Sequence, residues 1–181
     1  MLERVEQIQI IDSINVDFDD FFKFYKLSNE SGSLNSTSIL PAQFPSAKHS
    51  IVFQPESKSQ MVWAMSDSLG YTTLVSSALL SDNVWESPVN LGENLNNGGS
   101  ANYPYIMPDG ITLYYASNGD NSIGGYDILF TRKDEDGFLQ PQNIGMPYNS
   151  PHNDYMLVID ETTGIGWWAS DRNQIEGKVT I

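Results

Sequence analysis

The 181-residue sequence predicts an all-β chain arranged as an incomplete β-propeller, and three observations carry the prediction. A 53-residue register repeats along the chain. Each copy divides into short β-favouring runs separated by turn residues, four in the best-preserved one. Within the repeat the runs are short and aromatic, without the 3.6-residue spacing of a helical repeat.

The strongest self-match sets Trp85-Glu-Ser-Pro-Val-Asn-Leu-Gly-Glu-Asn-Leu-Asn96 against Phe138-Leu-Gln-Pro-Gln-Asn-Ile-Gly-Met-Pro-Tyr-Asn149, every pair 53 apart. Pro88 falls on Pro141, Asn90 on Asn143, Gly92 on Gly145 and Asn96 on Asn149. The register continues through Tyr115-Ala-Ser-Asn118 and Trp168-Ala-Ser-Asp171, through Gly124 and Gly177, and to Ile128 and Ile181. Upstream, Phe53-Gln-Pro-Glu-Ser57 precedes Ile106-Met-Pro-Asp-Gly110 by the same interval. Copies therefore begin near residues 50, 103 and 156.

In the middle copy, residues 103–107 are apolar and stop at Pro108-Asp109-Gly110, where proline presets a turn and glycine supplies a positive φ. Residues 111–116 are aromatic and β-favouring, ending at Asn118-Gly119-Asp120-Asn121. A third strand over 126–132 closes at Asp134-Glu-Asp-Gly137, and a fourth spans 138–144. One blade cannot bury both its faces, so Trp85 or Phe138 and Tyr115 or Trp168 are assigned to the layers between blades rather than to a sugar-stacking platform. The first copy has lost the turn glycine after Gln54, and 73–79 lacks the Gly-Gly-x-Asp of the second. It reads as a diverged terminal blade.

Residues 50–181 amount to about two and a half blades, where a ring needs 4 to 8. Ile181 aligns with the third strand of its blade, so the fourth strand is expected to be missing. The chain then reads as a fragment whose remaining blades lie in the same protein. Residues 1–49 lie outside the repeat. Val5 to Val16, with Ile8, Ile10 and Ile14, reads as a strand suited to completing a last blade, and on this reading it lacks its partner. Asp17 is placed to cap a short helix carrying Phe18, Phe21, Phe22 and Tyr25 on one stripe, expected to pack against the core rather than bind a partner. Residues 27–41, rich in serine and asparagine, read as a linker.

With 40% hydrophobic and 12% aromatic residues the chain can bury a core. Its 9 basic and 23 acidic residues leave a net charge of −14, which repels nucleic-acid backbones and anionic lipid surfaces. Absence of cysteine excludes disulfides and thiol catalysis. No apolar run approaches the roughly 20 residues of a membrane-spanning helix. His49 and His152 are not at metal-ligand spacing, and no Gly-x-Ser-x-Gly nucleophile elbow occurs. No enzyme activity and no cofactor are therefore expected. Asp134 and Asp136 alternate before a glycine as in a calcium loop, but the six to eight oxygens of such a loop are not present in sequence, and a hairpin turn is the simpler assignment. Tyr148, His152, Asn153, Asp154 and Tyr155 gather polar and aromatic groups between blades and form the one candidate ligand-facing stretch.

Tyr-Pro-Tyr-Ile-Met-Pro-Asp-Gly at 103–110, Leu-Tyr-Tyr-Ala-Ser at 113–117, Gly-Gly-Tyr-Asp-Ile at 124–128 and Trp-Trp-Ala-Ser-Asp-Arg at 167–172 resemble the TolB-type, WD-repeat-like (PD-repeat) β-propeller family. The Trp-x-x-Pro-x-Asn-Leu-Gly between blades is similar to the subgroup found in Gram-negative cell envelopes, some members of which carry a peptidoglycan-binding OmpA-like domain. The resemblance covers residues 50–181 and implies a periplasmic or outer-membrane-associated, non-catalytic scaffold that binds protein or glycan partners. The fold hosts unrelated activities, so the alternative is the propeller domain of a hydrolase whose catalytic residues lie elsewhere.

Overall fold

The computed structural model describes residues 8–95 and 98–181. Val5 and Asn96 lie outside the described residues. In chain order the strands are β1 (Asn15–Asp17), β2 (Ser33–Ser36), β3 (Ile51–Gln54), β4 (Gln60–Ser66), β5 (Thr72–Ser81), β6 (Val84–Trp85) and β7 (Val89–Asn90). These are followed by β8 (Ala101–Ile106), β9 (Thr112–Ser117), β10 (Asp127–Arg132), β11 (Gln142–Asn143), β12 (Asp154–Asp160), β13 (Ile165–Ser170) and β14 (Lys178–Thr180). The chain is all-β, and each repeat builds one antiparallel sheet. The first sheet is ordered β2-β3-β4-β5-β6 with β7 also on β5, the second β11-β10-β9-β8, and the third β1-β14-β13-β12.

The turns follow the residues that favour them. Asp109 Oδ1 accepts the N–H groups of Ile111 and Thr112 at 2.9 and 2.8 Å, and Gly110 takes φ +73°. In the first copy the missing glycine is replaced by Lys58, which itself adopts φ +52°. Asn90 and Asn143 each accept the N–H of the glycine two residues on, at 2.8 and 2.7 Å, so the repeated Asn-x-Gly closes the same turn twice.

One core joins all three sheets. Ile51 and Phe53 from β3, Tyr103 and Tyr105 from β8, and Tyr155, Met156 and Val158 from β12 are buried in it together. Tyr103 and Met156 occupy equivalent positions, both with positive φ (57° and 50°), where the β8–β9 and β12–β13 registers shift. A second core lies between the first and second sheets, formed by Ala64, Leu74, Leu95, Leu113, Tyr115, Leu129 and Phe138. Tyr115 and Phe138 thus sit in the inter-sheet layer. Trp85 instead packs with Trp63 and Met61 on the opposite face of the first sheet, which Leu40 and Phe44 cover. The Phe44 ring stacks on Trp63 at 5.8 Å, and Trp63 Nε1 donates to the Pro45 carbonyl at 2.9 Å.

The largest corrections concern the first 49 residues. The third sheet does not lack its fourth strand: β1 pairs with β14, Val16 opposite Val179, and Ile14 and Ile181 exchange both backbone hydrogen bonds at 2.9 Å. The N-terminal strand has its partner, but it is short, because Ile10 and Ile14 face solvent, 68% and 40% exposed, and among the described residues 8–13 find no ladder partner that would make them a strand. Asp17 lies inside β1 and caps no helix; its carboxylate meets Lys178 Nζ at 2.7 Å. In place of a helix the aromatic stripe forms a single 3-10 turn, Phe21–Phe24, without a side-chain cap, since one turn gains too few backbone bonds to extend against the aromatic packing. Its apolar side still points inward: Phe21 is 1% exposed and its ring centroid lies 6.1 Å from Tyr103 and 6.3 Å from Tyr155. Nor is 27–41 a mere linker, because β2 adds to the edge of β3 in register, Leu34 opposite Phe53, satisfying backbone groups that the edge of β3 would otherwise leave open.

Asp160, fully buried at the end of β12, ties this segment down. Its carboxylate accepts the Ser28 N–H at 2.6 Å, the Ser28 hydroxyl at 2.8 Å and the N–H groups of Thr162 and Thr163. Burial alone would raise its pKa, but the Ser28, Thr163 and Ser31 hydrogen bonds outweigh this and hold it down at about 2. A depressed acid contributes stability that is complete above the unfolded carboxylate range and is lost as pH falls through the folded pKa. Asp160→Asn is therefore expected to lower Tm at pH 7, and its deficit against the wild type should narrow between about pH 4 and pH 2 in thermal melts. A deficit constant across that interval would show that the charge is not what holds Ser28.

Candidate functional site

The loop of residues 150–153 runs from the second sheet into β12, and the loop 171–177 joins β13 to β14. Asn153 fastens the first loop to its neighbours. Its Oδ1 accepts the Tyr126 N–H at 2.9 Å, its own N–H donates to Asp171 Oδ1 at 2.9 Å, and its Nδ2 donates to Asp171 Oδ2 at 2.6 Å. In the preceding repeat Asn118 stands where Asp171 does, and it likewise accepts a backbone N–H from the incoming loop, that of Ser100 at 2.8 Å. The glycine pair beneath is required by closeness: a Cβ at Gly124 would lie 2.4 Å from the Pro151 carbonyl, and one at Gly125 would lie 2.1 Å from Asn153 Oδ1. The Gly-Gly of the sequence motif is where the loop crosses the second sheet.

Between these loops and the start of the 3-10 turn lies a cleft of about 450 Å³. Phe18 and Tyr155 form its aromatic wall, and His152, Asn153, Asp171 and Glu176 stand around it. Tyr155, 5% exposed, donates its hydroxyl to Asp171 Oδ2 at 3.3 Å. Burial, reinforced by the negative charge of Asp171, pushes its phenol well above the ordinary tyrosine range, so it remains a neutral donor. The arrangement can offer an apolar ring face flanked by carboxylate, amide and imidazole groups. Groups of these types can hydrogen-bond polar groups of a ligand and cover a small apolar surface.

Of the five residues singled out in sequence, His152, Asn153 and Tyr155 come together in this cleft. The other two do not. Asp154 is fully buried beneath it: Arg172 Nη2 reaches Asp154 Oδ1 at 2.6 Å, and the Ser150 hydroxyl donates to Oδ2 at 2.7 Å. Tyr148 turns to the other face, edge-on to Trp168 with ring centroids 5.4 Å apart, at the repeat position that Leu95 holds one copy earlier. Sequence reasoning missed Phe18, Asp171 and Glu176 as cleft residues. Asp171 had a signal in its pairing with Asn118, but Phe18 is brought there only by the β1–β14 contact.

Asp134 does not gather ligands either. Its Oδ1 accepts the N–H groups of Asp136 and Gly137 at 2.9 and 3.2 Å in an exposed hairpin turn. Among the described residues no three His, Asp or Glu side chains converge as a metal site would need. No family model, no curated protein and no solved structure matches the chain.

Proposed function

We propose that the three sheets are blades of a TolB-type β-propeller and that the chain is a non-catalytic interaction module of the bacterial cell envelope, holding a glycan partner in the cleft beside β12. The observation that carries this is the cleft itself: the Phe18 and Tyr155 rings beside His152, Asn153, Asp171 and Glu176. Sugar rings present alternating C–H and hydroxyl faces, which such a wall and rim complement. The net charge of −14 selects neutral or cationic saccharides over anionic ones. The blade assignment is supported by one antiparallel sheet per 53-residue repeat with β3, β8 and β12 converging on a shared core. Placement in the envelope rests on the motif resemblance.

A glycan array followed by calorimetric titration of its best hit tests this. His152 and Glu176 are exposed, so the double variant His152→Ala/Glu176→Gln should fold normally and bind the hit at least about tenfold more weakly. An array without hits, or a hit whose affinity the double variant leaves unchanged, would remove the cleft as the site.

A further inference from the structure

A second cleft, of about 490 Å³, opens at the ends of β3 and β8, between the first and second sheets, and shares no residue with the cleft beside β12. The two turns that frame it are equivalent in the repeat: Phe53-Gln-Pro-Glu-Ser57 lies 53 residues before Ile106-Met-Pro-Asp-Gly110, so Glu56 stands where Asp109 does. Asp109 is occupied by its own turn, accepting the Ile111 and Thr112 N–H groups and the Thr112 hydroxyl. Glu56 is not. The first turn is closed by the Lys58 N–H donating to the Pro55 carbonyl at 2.9 Å, with Lys58 itself at positive φ. The Glu56 carboxylate, one methylene longer than that of Asp109 and exposed, therefore takes no part in the turn and makes no ion pair among the described residues.

A second carboxylate, that of Glu30, joins it at the cleft, also exposed and without an ion pair among the described residues. Its place is fixed by the fold. The 3-10 turn Asn29–Ser31 is seated against the end of β3 because Gly32 takes φ +76°, and a Cβ there would lie 2.3 Å from the Gln54 carbonyl oxygen. Ser31 is 2% exposed, and Ser28 ahead of it is bound to Asp160. Beneath the two carboxylates the cleft is apolar: Phe53 is buried, edge-on to Tyr105 with ring centroids 5.3 Å apart, and Ile106 and Met107 are half-buried. Lys58, the cation of the first turn, does not line the cleft. The result is a preformed apolar floor with two carboxylates at its rim, in the size range of binding sites.

We propose that this cleft docks a basic segment of a partner protein, with one aliphatic side chain lying over Phe53, Ile106 and Met107 and the lysine or arginine residues that flank it reaching Glu30 and Glu56. In an extended segment the flanking side chains leave on the face opposite the aliphatic one, and the long stems of lysine and arginine bring their charged ends back to the rim. Burial of the aliphatic group supplies affinity. The carboxylates supply selectivity, and the net charge of −14 speeds encounter with a cationic partner.

The test uses the full chain and a fluorescently labelled synthetic peptide, Lys-Leu-Lys-Leu-Lys. Anisotropy should show saturable binding in the micromolar range that weakens as salt is raised. Affinity should fall at least about tenfold when the leucines of the peptide become serine, and again when its lysines become glutamate. The double variant Glu30→Gln/Glu56→Gln, both side chains being exposed, should fold normally and bind the peptide at least about tenfold more weakly. Glu86→Gln/Glu135→Gln removes two exposed carboxylates that do not line the cleft, and should stay within about twofold of the wild type. No saturable binding up to about 1 mM, equal binding of the serine peptide, or equal losses from the two double variants would each overturn the proposal, the last by showing attraction to the net charge alone. Displacement of the peptide by putrescine at equal concentration would also overturn it, in favour of a small amine.

Discussion

Phe21→Ala is expected to cost about 3 to 4 kcal/mol, against a total stability for such a domain of about 5 to 15 kcal/mol. Phe21 is 1% exposed and its ring contacts Phe18, Phe22, Tyr25, Tyr103 and Tyr155. Removing it opens a cavity bounded by rings fixed in strands of two sheets, which cannot collapse onto it. The loss should extend beyond the cavity. Phe21 lies between β1, which completes the third sheet, and Tyr25, whose hydroxyl donates to the Met156 carbonyl at 2.9 Å and whose ring stacks on Trp167 at 5.7 Å. Denaturant melts should therefore show the lower midpoint, and limited proteolysis should cut within residues 8–30 before the melt begins. Phe24→Ala, one turn on but 45% exposed, should change stability by no more than about 0.5 kcal/mol. Equal effects of the two would mean that this segment does not pack on the sheets.

That contrast marks what was and was not legible in the residues. The first three strands of the middle repeat emerge within two residues of where the apolar runs and turn residues put them, because each is decided locally, Asp109 and Gly110 making their turn from three neighbouring residues; the fourth, expected over 138–144, shrinks to Gln142–Asn143, with Phe138 reduced to an isolated bridge to Lys133. The role of residues 8–49 depends on contacts more than a hundred residues away, Val16 with Val179 and Ser28 with Asp160, and no local pattern encodes such a pairing. Alternation of Ile8, Ile10 and Ile14 promised a longer strand than forms, since periodicity reports which residues could share a face and not whether a partner edge is within reach. The bulges at Tyr103 and Met156 left no trace, as neither residue type prefers positive φ. In the candidate cleft, the loop residues could be grouped from sequence, whereas the division between exposed His152 and buried Asp154 two positions on comes from the strand that begins there.

Arg172→Met should be comparably damaging for an electrostatic reason. At the position of Asp154, the preceding repeat has Ala101, which packs with Leu95 and Leu113. The third sheet places a carboxylate there instead, 0% exposed, with the Arg172 guanidinium as its cationic partner. The same guanidinium also donates to the carbonyls of Pro147 at 3.1 Å and Tyr148 at 2.5 Å, and its Nε to the Ser170 hydroxyl at 2.8 Å, so it fastens the connection between the second and third sheets. Removing it leaves a buried carboxylate held by the Ser150 hydroxyl, a loss of about 3 kcal/mol, toward the low end for a broken buried pair because the arginine side chain is itself 31% exposed. Lysine restores the charge but cannot span a carboxylate and two carbonyls at once, so Arg172→Lys should recover less than half of the loss. Asp154→Asn in the Arg172→Met background removes the stranded charge. If the damage is electrostatic, the double variant should be more stable than Arg172→Met alone, with a coupling of at least about 1 kcal/mol in a double-mutant cycle from denaturant melts. Additive losses would instead assign the effect to the packing of the arginine stem, and Asp154 would be holding its place through Ser150 without needing the ion pair.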